Sequence, residues 1–392
     1  MKRRPVLPIL LLVVVILIIV RWAREDESRP LVIGATMSET GAYSTQGIAA
    51  RNGYLLWQEQ INERGGILGR EVEFIILDDR SENSVAIELY EKLITEHKVD
   101  AVMGPYGSTL TEAVAPVTEM HRMVQITPLA ATTSIWEQGR EYLFMVLPPA
   151  ELFLAGLIDM ACERGLGKVA VIHENALFPA AAGRGAADLA VERDMEVVLL
   201  ESYSSGTTDF SPLLQKVSES GAEVLALSAS ALDDFISVVR QMREMGVEPD
   251  MVGTSGAVDR FRDELGEAAE NIFGLSAWEP SLPYPGVEDF TNSYIARFGV
   301  EPSFHAAGAY GSCMLFMEAA ERAGSFDQER LRDELLEMET MTLFGPYAVD
   351  ERGYQIANTG VFIQWQDGIK VVVWPEEYAG AEPRFRVSHS DR

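Results

Sequence analysis

Gly107-Ser108-Thr109 follows a short apolar run at 101–104 and leads into a helical stretch. Free backbone N–H groups at a helix start, with two hydroxyls beside them, form a ready site for a carboxylate. Taken alone, the same triplet also fits an ordinary Ser or Thr cap. Other small or aromatic residues fall at comparable places: Ala130 and Thr132 in the loop after 123–127, Phe178 after the run ending at His173, and Ser255 within Gly253-Thr254-Ser255-Gly256. Such residues bind and orient a small molecule; they do not supply an activated nucleophile. The chain has no G-x-S-x-G, no H-E-x-x-H, no P-loop and no G-x-G-x-x-G after a strand. Gly165-Leu166-Gly167-Lys168 is too short for a P-loop and fits a helix-ending turn. His173 fits a hydrogen-bonded strand end better than a metal ligand, because no partner stands at zinc spacing. The expectation is a binding protein, not an enzyme, with no metal and no cofactor.

These residues must be held by a scaffold. Apolar runs at 31–35, 72–77, 101–104, 123–127 and 142–146 alternate with helical stretches, and Pro148-Pro149 marks the change to a second series. That series places strands at 169–173, 196–201, 224–227, 251–253 and 272–277, with helices at 151–164, 180–193, 209–219 and 231–245 between them. Alternation of this kind predicts α/β architecture, here two doubly wound parallel-sheet lobes with ligand crevices at the carboxyl ends of the strands. Helices at 287–298 and 304–323 are expected to return to the first lobe, and strands at 360–365 and 371–374 to the second. Three strands crossing near 147, 277 and 345 would form a hinge. The expected division is 1–29 as signal anchor and tether, 30–147 as the first part of lobe 1, and 148–276 as lobe 2. The stretch 277–345 is then the return to lobe 1, and 346–392 the lobe 2 C-terminal strands and tail.

The chain has 392 residues, enough for two cores, and 32 basic against 60 acidic residues, a net charge of -28. Nucleic acid and anionic headgroups are poor partners for such a surface, the basic N-terminus excepted. Lys2-Arg3-Arg4, an apolar run at 5–20 and the charged stretch after Arg21 make an N-terminal membrane segment with its positive side in the cytoplasm. Lacking a small-x-small cleavage site and a lipidation cysteine, it fits an uncleaved single-pass anchor, with the rest of the chain outside the cytoplasm, better than the alternative of a removed signal peptide. Cys162 and Cys313, the two cysteines, lie in helical stretches, match no zinc or redox spacing, and are expected to be core thiols.

The ordered set Gly34-Ala35 with Thr40-Gly41, Asn52-Gly53, Asn62 with Gly65-Gly66-Ile67 and Gly69, Asp78-Asp79, and Gly104 with Ser108 continues as Ile126-Thr127-Pro128, Asp209-Phe210, Ala309-Tyr310 and Gly345-Pro346. It resembles the leucine/isoleucine/valine-binding protein family, the type I periplasmic substrate-binding proteins of ABC importers, from about residue 30 to about 375. The resemblance implies a small-molecule ligand between the lobes and, as partners, an ABC permease and its ATPase. A ligand-sensing module of the same fold, signalling to a membrane partner, is the alternative. By the resemblance Ser108 holds the ligand carboxylate, with Gly107 and Thr109 beside it, and Ala130 and Thr132 flank the position of a family hydroxyl that is Ala131 here. Phe178 replaces a tyrosine that covers the ligand. Ser255 stands where amino-acid-binding members carry an acid that pairs with the α-ammonium; Asp233 and Asp259 are the nearby substitutes. The implied ligand is a small carboxylate or amide, amino-acid-like, with an apolar body.

Overall fold

A computed structural model describes residues 29–256 and 261–385. The chain enters through β1 (Leu31–Met37), α1 (Ser44–Glu63), β2 (Val72–Asp78), α2 (Asn83–Thr95), β3 (Ala101–Met103), α3 (Ser108–Met120), β4 (Gln125–Thr127) and β5 (Leu143–Met145). These strands form one parallel sheet in the order β2-β1-β3-β4-β5. β1 is paired on both sides, so the winding reverses between β1 and β3, and their carboxyl-terminal loops diverge there to leave a crevice. Leu31, Ile33, Ala35 and Met37 are fully buried, as a sheet covered on both faces requires.

The end of β1 is pinned from β2. Asp79, fully buried, accepts hydrogen bonds from Thr36 Oγ1 at 2.8 Å and Ser38 Oγ at 2.6 Å. Burial raises its pKa, against the opposing pull of those hydroxyls. The Asn62 side chain brackets β2 by donating to the Val72 carbonyl at 2.9 Å and accepting from the Val72 N–H at 2.7 Å.

After a 3-10 turn at Ala150–Leu152 come α4 (Ala155–Glu163), β6 (Lys168–Glu174), α5 (Leu177–Glu192), β7 (Glu196–Tyr203), α6 (Ser211–Ser220), β8 (Val224–Ser228), α7 (Leu232–Met245), β9 (Met251–Thr254), α8 (Phe261–Leu265) and β10 (Ile272–Ser276). The chain then forms α9 (Val287–Phe298), α10 (Phe304–Ala323), α11 (Gln328–Glu337), a hairpin of β11 (Thr340–Thr342) and β12 (Gly345–Tyr347), and β13 (Val361–Gln366) with β14 (Ile369–Trp374). Among the described residues the second sheet has the order β14-β13-β10-β9-β8-β6-β7.

From β7 to β10 this second sheet is parallel, as expected, and the C-terminal strands add an antiparallel edge to it. β13 runs antiparallel to both β10 and β14. Asp367 and Gly368, between β13 and β14, both have positive φ (53° and 76°), the backbone that a two-residue hairpin needs. A turn that tight forces antiparallel pairing.

α9 and α10 return to the first sheet. Arg297 of α9 makes hydrogen bonds to Glu59 of α1, at 3.0 Å for the Nη2 contact, and Tyr310 of α10 donates to Gln60 at 2.5 Å. Gly53 allows α1 to sit against α10, because a Cβ there would lie 2.2 Å from the Ala306 carbonyl oxygen.

The chain passes between the two sheets after β5, after β10 and after β12. Of the three crossings expected as strands, those near 147 and 277 are irregular segments, whereas β12 stands at the third, near 345. They are tied side by side: Gln355 Nε2 donates to the Val146 carbonyl at 3.3 Å, and Trp278 Nε1 to the Leu343 carbonyl at 2.8 Å.

Two further expectations change. Cys162 is exposed and not a core thiol, whereas Cys313 is buried. The helix expected at 180–193 begins at Leu177, so Phe178 belongs to its first turn. Pro179 is tolerated there because the N–H it lacks would have no intrahelical acceptor. The N-terminal segment lies, but for Arg29, outside the described residues; among those described, no helix is long and apolar enough to cross a membrane.

Candidate functional site

β3 ends at Met103, and Gly107, with φ of +80°, turns the chain into α3. Ser108 is the first residue of that helix and is buried. Its Oγ accepts hydrogen bonds from the N–H groups of Ala131 and Thr132, at 3.1 and 3.2 Å. The hydroxyl therefore fastens the β4 loop to the start of α3 and still has its own hydrogen to donate. The first N–H groups of any α-helix lack intrahelical acceptors and carry the positive end of its dipole.

A cavity of about 350 Å³ lies in front of this helix start, and Gly107, Ser108, Thr109, Phe178 and Ser255 all line it. Residues from the two halves of the chain thus meet around one space. Ala130 and Thr132 are buried and are not part of its wall; Thr132 is joined to Ser108 through its N–H.

On the second-sheet side, Ser255 follows β9. Its Oγ accepts from Ser228 Oγ at 2.8 Å and its N–H donates to the Leu227 carbonyl at 2.9 Å. Phe178 meets Phe153 edge to face, with ring centroids 4.9 Å apart at 78°. Asp233 is exposed in the first turn of α7 and does not line the cavity; Asp259 lies outside the described residues. Glu301, at the exposed rim, is the one carboxylate among the described lining residues.

Tyr106 connects the two sides. Its hydroxyl donates to the Ser230 carbonyl at 3.2 Å. The Ser230 N–H donates to Glu174 Oε2 at 2.9 Å, and Glu174 Oε1 accepts from Ser205 Oγ at 2.5 Å. Behind this chain, Tyr203 donates to Asp234 at 2.9 Å. Asp234 is pushed up to about 6 by burial, opposed by the Tyr203 bond and reinforced by the negative charges of Glu174 and Asp233. His173 is held through Nδ1 against the Glu174 carbonyl at 2.9 Å, the hydrogen-bonded strand end expected of it.

Sequence reasoning missed most of the aromatic wall: Tyr43, Tyr106, Phe153, Phe304 and His305 line the cavity. Tyr43 and Tyr106 have ring centroids 5.3 Å apart, Tyr106 and His305 5.7 Å, and Phe304 stacks on His305 at 3.8 Å. Tyr106 stands one residue before the anion loop, a position that the sequence did offer. The Phe304-His305 pair comes from a segment about 200 residues downstream and is brought in only by the packing of α10 on α1.

Residues 30–369 match the periplasmic binding protein family. Among curated relatives, "Leu/Ile/Val-binding protein homolog 7" of Brucella suis biovar 1 is 25% identical over 380 residues, covering 91% of this chain and 94% of the relative. The substrate-binding protein LivJ of a branched-chain amino acid transporter from Streptococcus pneumoniae, solved with isoleucine, superposes with a TM-score of 0.79 at 25% identity, covering 88% of this chain and 100% of that one. A solute-binding protein of an ABC transporter from R. palustris, solved with benzoate, superposes with a TM-score of 0.78 at 17% identity, covering 90% and 99%. With its two α/β sheets, three passages and a cavity lined from both sides, the chain belongs to the periplasmic binding protein family.

Proposed function

We propose that this protein is the extracytoplasmic solute-binding component of an ABC importer, holding a small carboxylate or amide with an apolar body and discriminating weakly for an α-amino group. The observation that carries the reading is the cavity itself: a helix start with Ser108 and Thr109 at one end, aromatic walls, and Ser255 where the family's amino-acid binders carry an acid. A buried ammonium without a carboxylate partner costs several kcal/mol, about 3–5 where one partner of an ion pair is lost. A carboxylate at a helix start needs no cation. Isoleucine, held by the relative at 25% identity, is itself a small carboxylate with an apolar body, which supports that part of the reading.

In this reading 30–147 and 277–345 form one lobe and 148–276 with 346–392 the other, and ligand is shut in between them. Ser108, Thr109 and Gly107 bind the carboxylate, Phe178 packs on the body, Ser255 lines the far wall, and Ala130 and Thr132 support Ser108 from behind. Residues 1–29 anchor the protein in the membrane beside its permease, where tethering raises its local concentration.

Calorimetry on the full chain, comparing leucine and phenylalanine with 4-methylpentanoate and 3-phenylpropanoate, tests the reading. The deaminated acids are expected to bind within about tenfold of the amino acids, since no ammonium pair is lost. Tight leucine binding with no detectable affinity for 4-methylpentanoate would overturn it and assign the ammonium to another acid such as Asp259.

A further inference from the structure

The loop after β4 is held from two sides. On the side of α3, the N–H groups of Ala131 and Thr132 donate to Ser108 Oγ at 3.1 and 3.2 Å. On the side of the first passage, the Ala131 carbonyl accepts from the Ala150 N–H at 2.8 Å, and Thr133 Oγ1 donates to Glu151 Oε2 at 2.5 Å. A carboxylate only accepts, so the single Thr133 hydroxyl proton goes to Glu151. Tyr354, whose hydroxyl lies 3.0 Å from Thr133 Oγ1, is then the donor in that contact. The order runs from Tyr354 to Thr133 to Glu151 and ends on a charged acceptor, where hydrogen bonds are strongest.

The partners belong to different halves of the molecule. Thr133 opens the 3-10 turn Thr133–Gln138, whose Trp136 donates through Nε1 to the Leu143 carbonyl of β5 at 3.2 Å. Trp136 also meets Tyr354 edge-on, with ring centroids 6.3 Å apart, and the Met145 N–H of β5 donates to the Gly353 carbonyl at 2.9 Å. Thr133, Trp136 and Tyr354 are thus fixed to the first sheet. Glu151 stands after the first passage, in the turn Ala150–Leu152, and α5 of the second-sheet side packs on its backbone: a Cβ at Gly185 would lie 2.2 Å from the Glu151 carbonyl oxygen. Rotation of the two halves about the passages therefore pulls on the Thr133–Glu151 bond and, through the loop, on the two N–H groups at Ser108.

We propose that Glu151 is a positioning residue for the ligand site, which acts through Thr133 to aim the Ser108 hydroxyl and so couples ligand binding to closing of the lobes. The inference rests on the carboxylate reading above and deepens it by saying what sets the site. Ser108 Oγ has two lone pairs and one proton. With the lone pairs engaged by Ala131 and Thr132, the proton is left to donate, and its direction follows from where the loop holds those N–H groups. The coupling is reciprocal: a ligand that takes the Ser108 proton favours the shut arrangement by the same factor by which that arrangement favours the ligand.

A double-mutant cycle on the full chain, read by calorimetry with leucine and 3-phenylpropanoate, tests it. Ser108→Ala should weaken binding by about tenfold, and Thr133→Val, which keeps the shape and loses the hydroxyl, by about three- to tenfold. Thr133→Ser should restore the original affinity. The double variant should bind about as Ser108→Ala alone does, because without the Ser108 proton Thr133 has nothing to aim. Glu151→Gln, which keeps an acceptor and drops the charge, should weaken binding by about threefold, again with no effect on top of Ser108→Ala, and serves should Thr133→Val fold poorly. Losses that multiply in the double variants are those of a residue that only steadies the fold. Such losses, or unchanged affinity in both Thr133→Val and Glu151→Gln, would overturn the assignment and leave the carboxylate reading standing. If neither acid binds the unaltered chain, or Ser108→Ala binds as well as it does, the carboxylate reading is overturned too.

Discussion

The Ser108 hydroxyl serves the fold and the ligand with one atom. Because Oγ accepts from the Ala131 and Thr132 N–H groups, Ser108→Ala leaves two buried donors without an acceptor. We expect it to cost about 1–3 kcal/mol of stability and, separately, to weaken carboxylate binding; thermal melts and calorimetry read the two losses independently, and an unchanged melt would show that the loop donors find another acceptor. Ser255 calls for the opposite substitution. Ser255→Glu places an acid in the cavity wall, so the empty protein should be less stable, leucine should stabilise it, and affinity for 3-phenylpropanoate should fall. Equal responses to the two ligands would remove Ser255 from the specificity argument. Asp234 gives a pH dependence whose sign follows from its direction of shift. Its pKa rises from 3.8 to about 6 on folding, so between those values the folded chain binds more protons than the unfolded chain. Its contribution to stability therefore falls as pH rises through that window, by about 1 kcal/mol after allowance for its partial exposure. Asp234→Asn should flatten this part of the pH profile in urea unfolding.

At the scale of elements, the approach of α1 to α10 positions half of the cavity. Gly53→Ala would bring a Cβ to 2.2 Å from the Ala306 carbonyl oxygen, against backbone that cannot rotate away. The helices must separate, moving Phe304 and His305 with them. We expect a loss of about 1–3 kcal/mol together with weaker binding; circular dichroism melts with calorimetry check it, and a variant of unchanged stability would mean that the two helices slide at no cost. The long elements were legible in sequence because their apolar periodicity is sustained: the helices at Val287–Phe298 and Phe304–Ala323 begin and end where the pattern does. α11 was not, although Asp327 caps it by accepting from the Arg330 N–H at 3.1 Å. Six of its ten residues are charged, which hides the buried pair Leu331 and Leu335. The β11–β12 hairpin has three-residue strands, too short for any period to register. For the site the division is similar: the helix-start triplet was visible as a local pattern, whereas the Tyr106–His305–Phe304 wall joins residues distant in sequence, whose meeting depends on helix packing.

For the whole molecule, the Tyr106 bond to the Ser230 carbonyl spans from the first sheet's loops to the second's. In a protein that shuts around its ligand, such a bond holds the shut state and has no role in the open one. Tyr106→Phe keeps the ring against Tyr43 and removes only the donor, so dissociation should accelerate by about three- to tenfold with little change in association. Stopped-flow measurement decides it, and an unaltered dissociation rate would show that the bond is incidental to closure. The two thiols differ in their access to reagents. Cys162 is exposed on α4, while Cys313 is buried within α10 and its thiol pKa is pushed up by burial. An alkylating fluorophore should therefore add once to the native protein and twice in denaturant, which intact-mass measurement reports directly. The unaltered chain thus carries a single attachment point for a dye on the side of the second sheet. A dye placed there labels one defined site without engineering a cysteine.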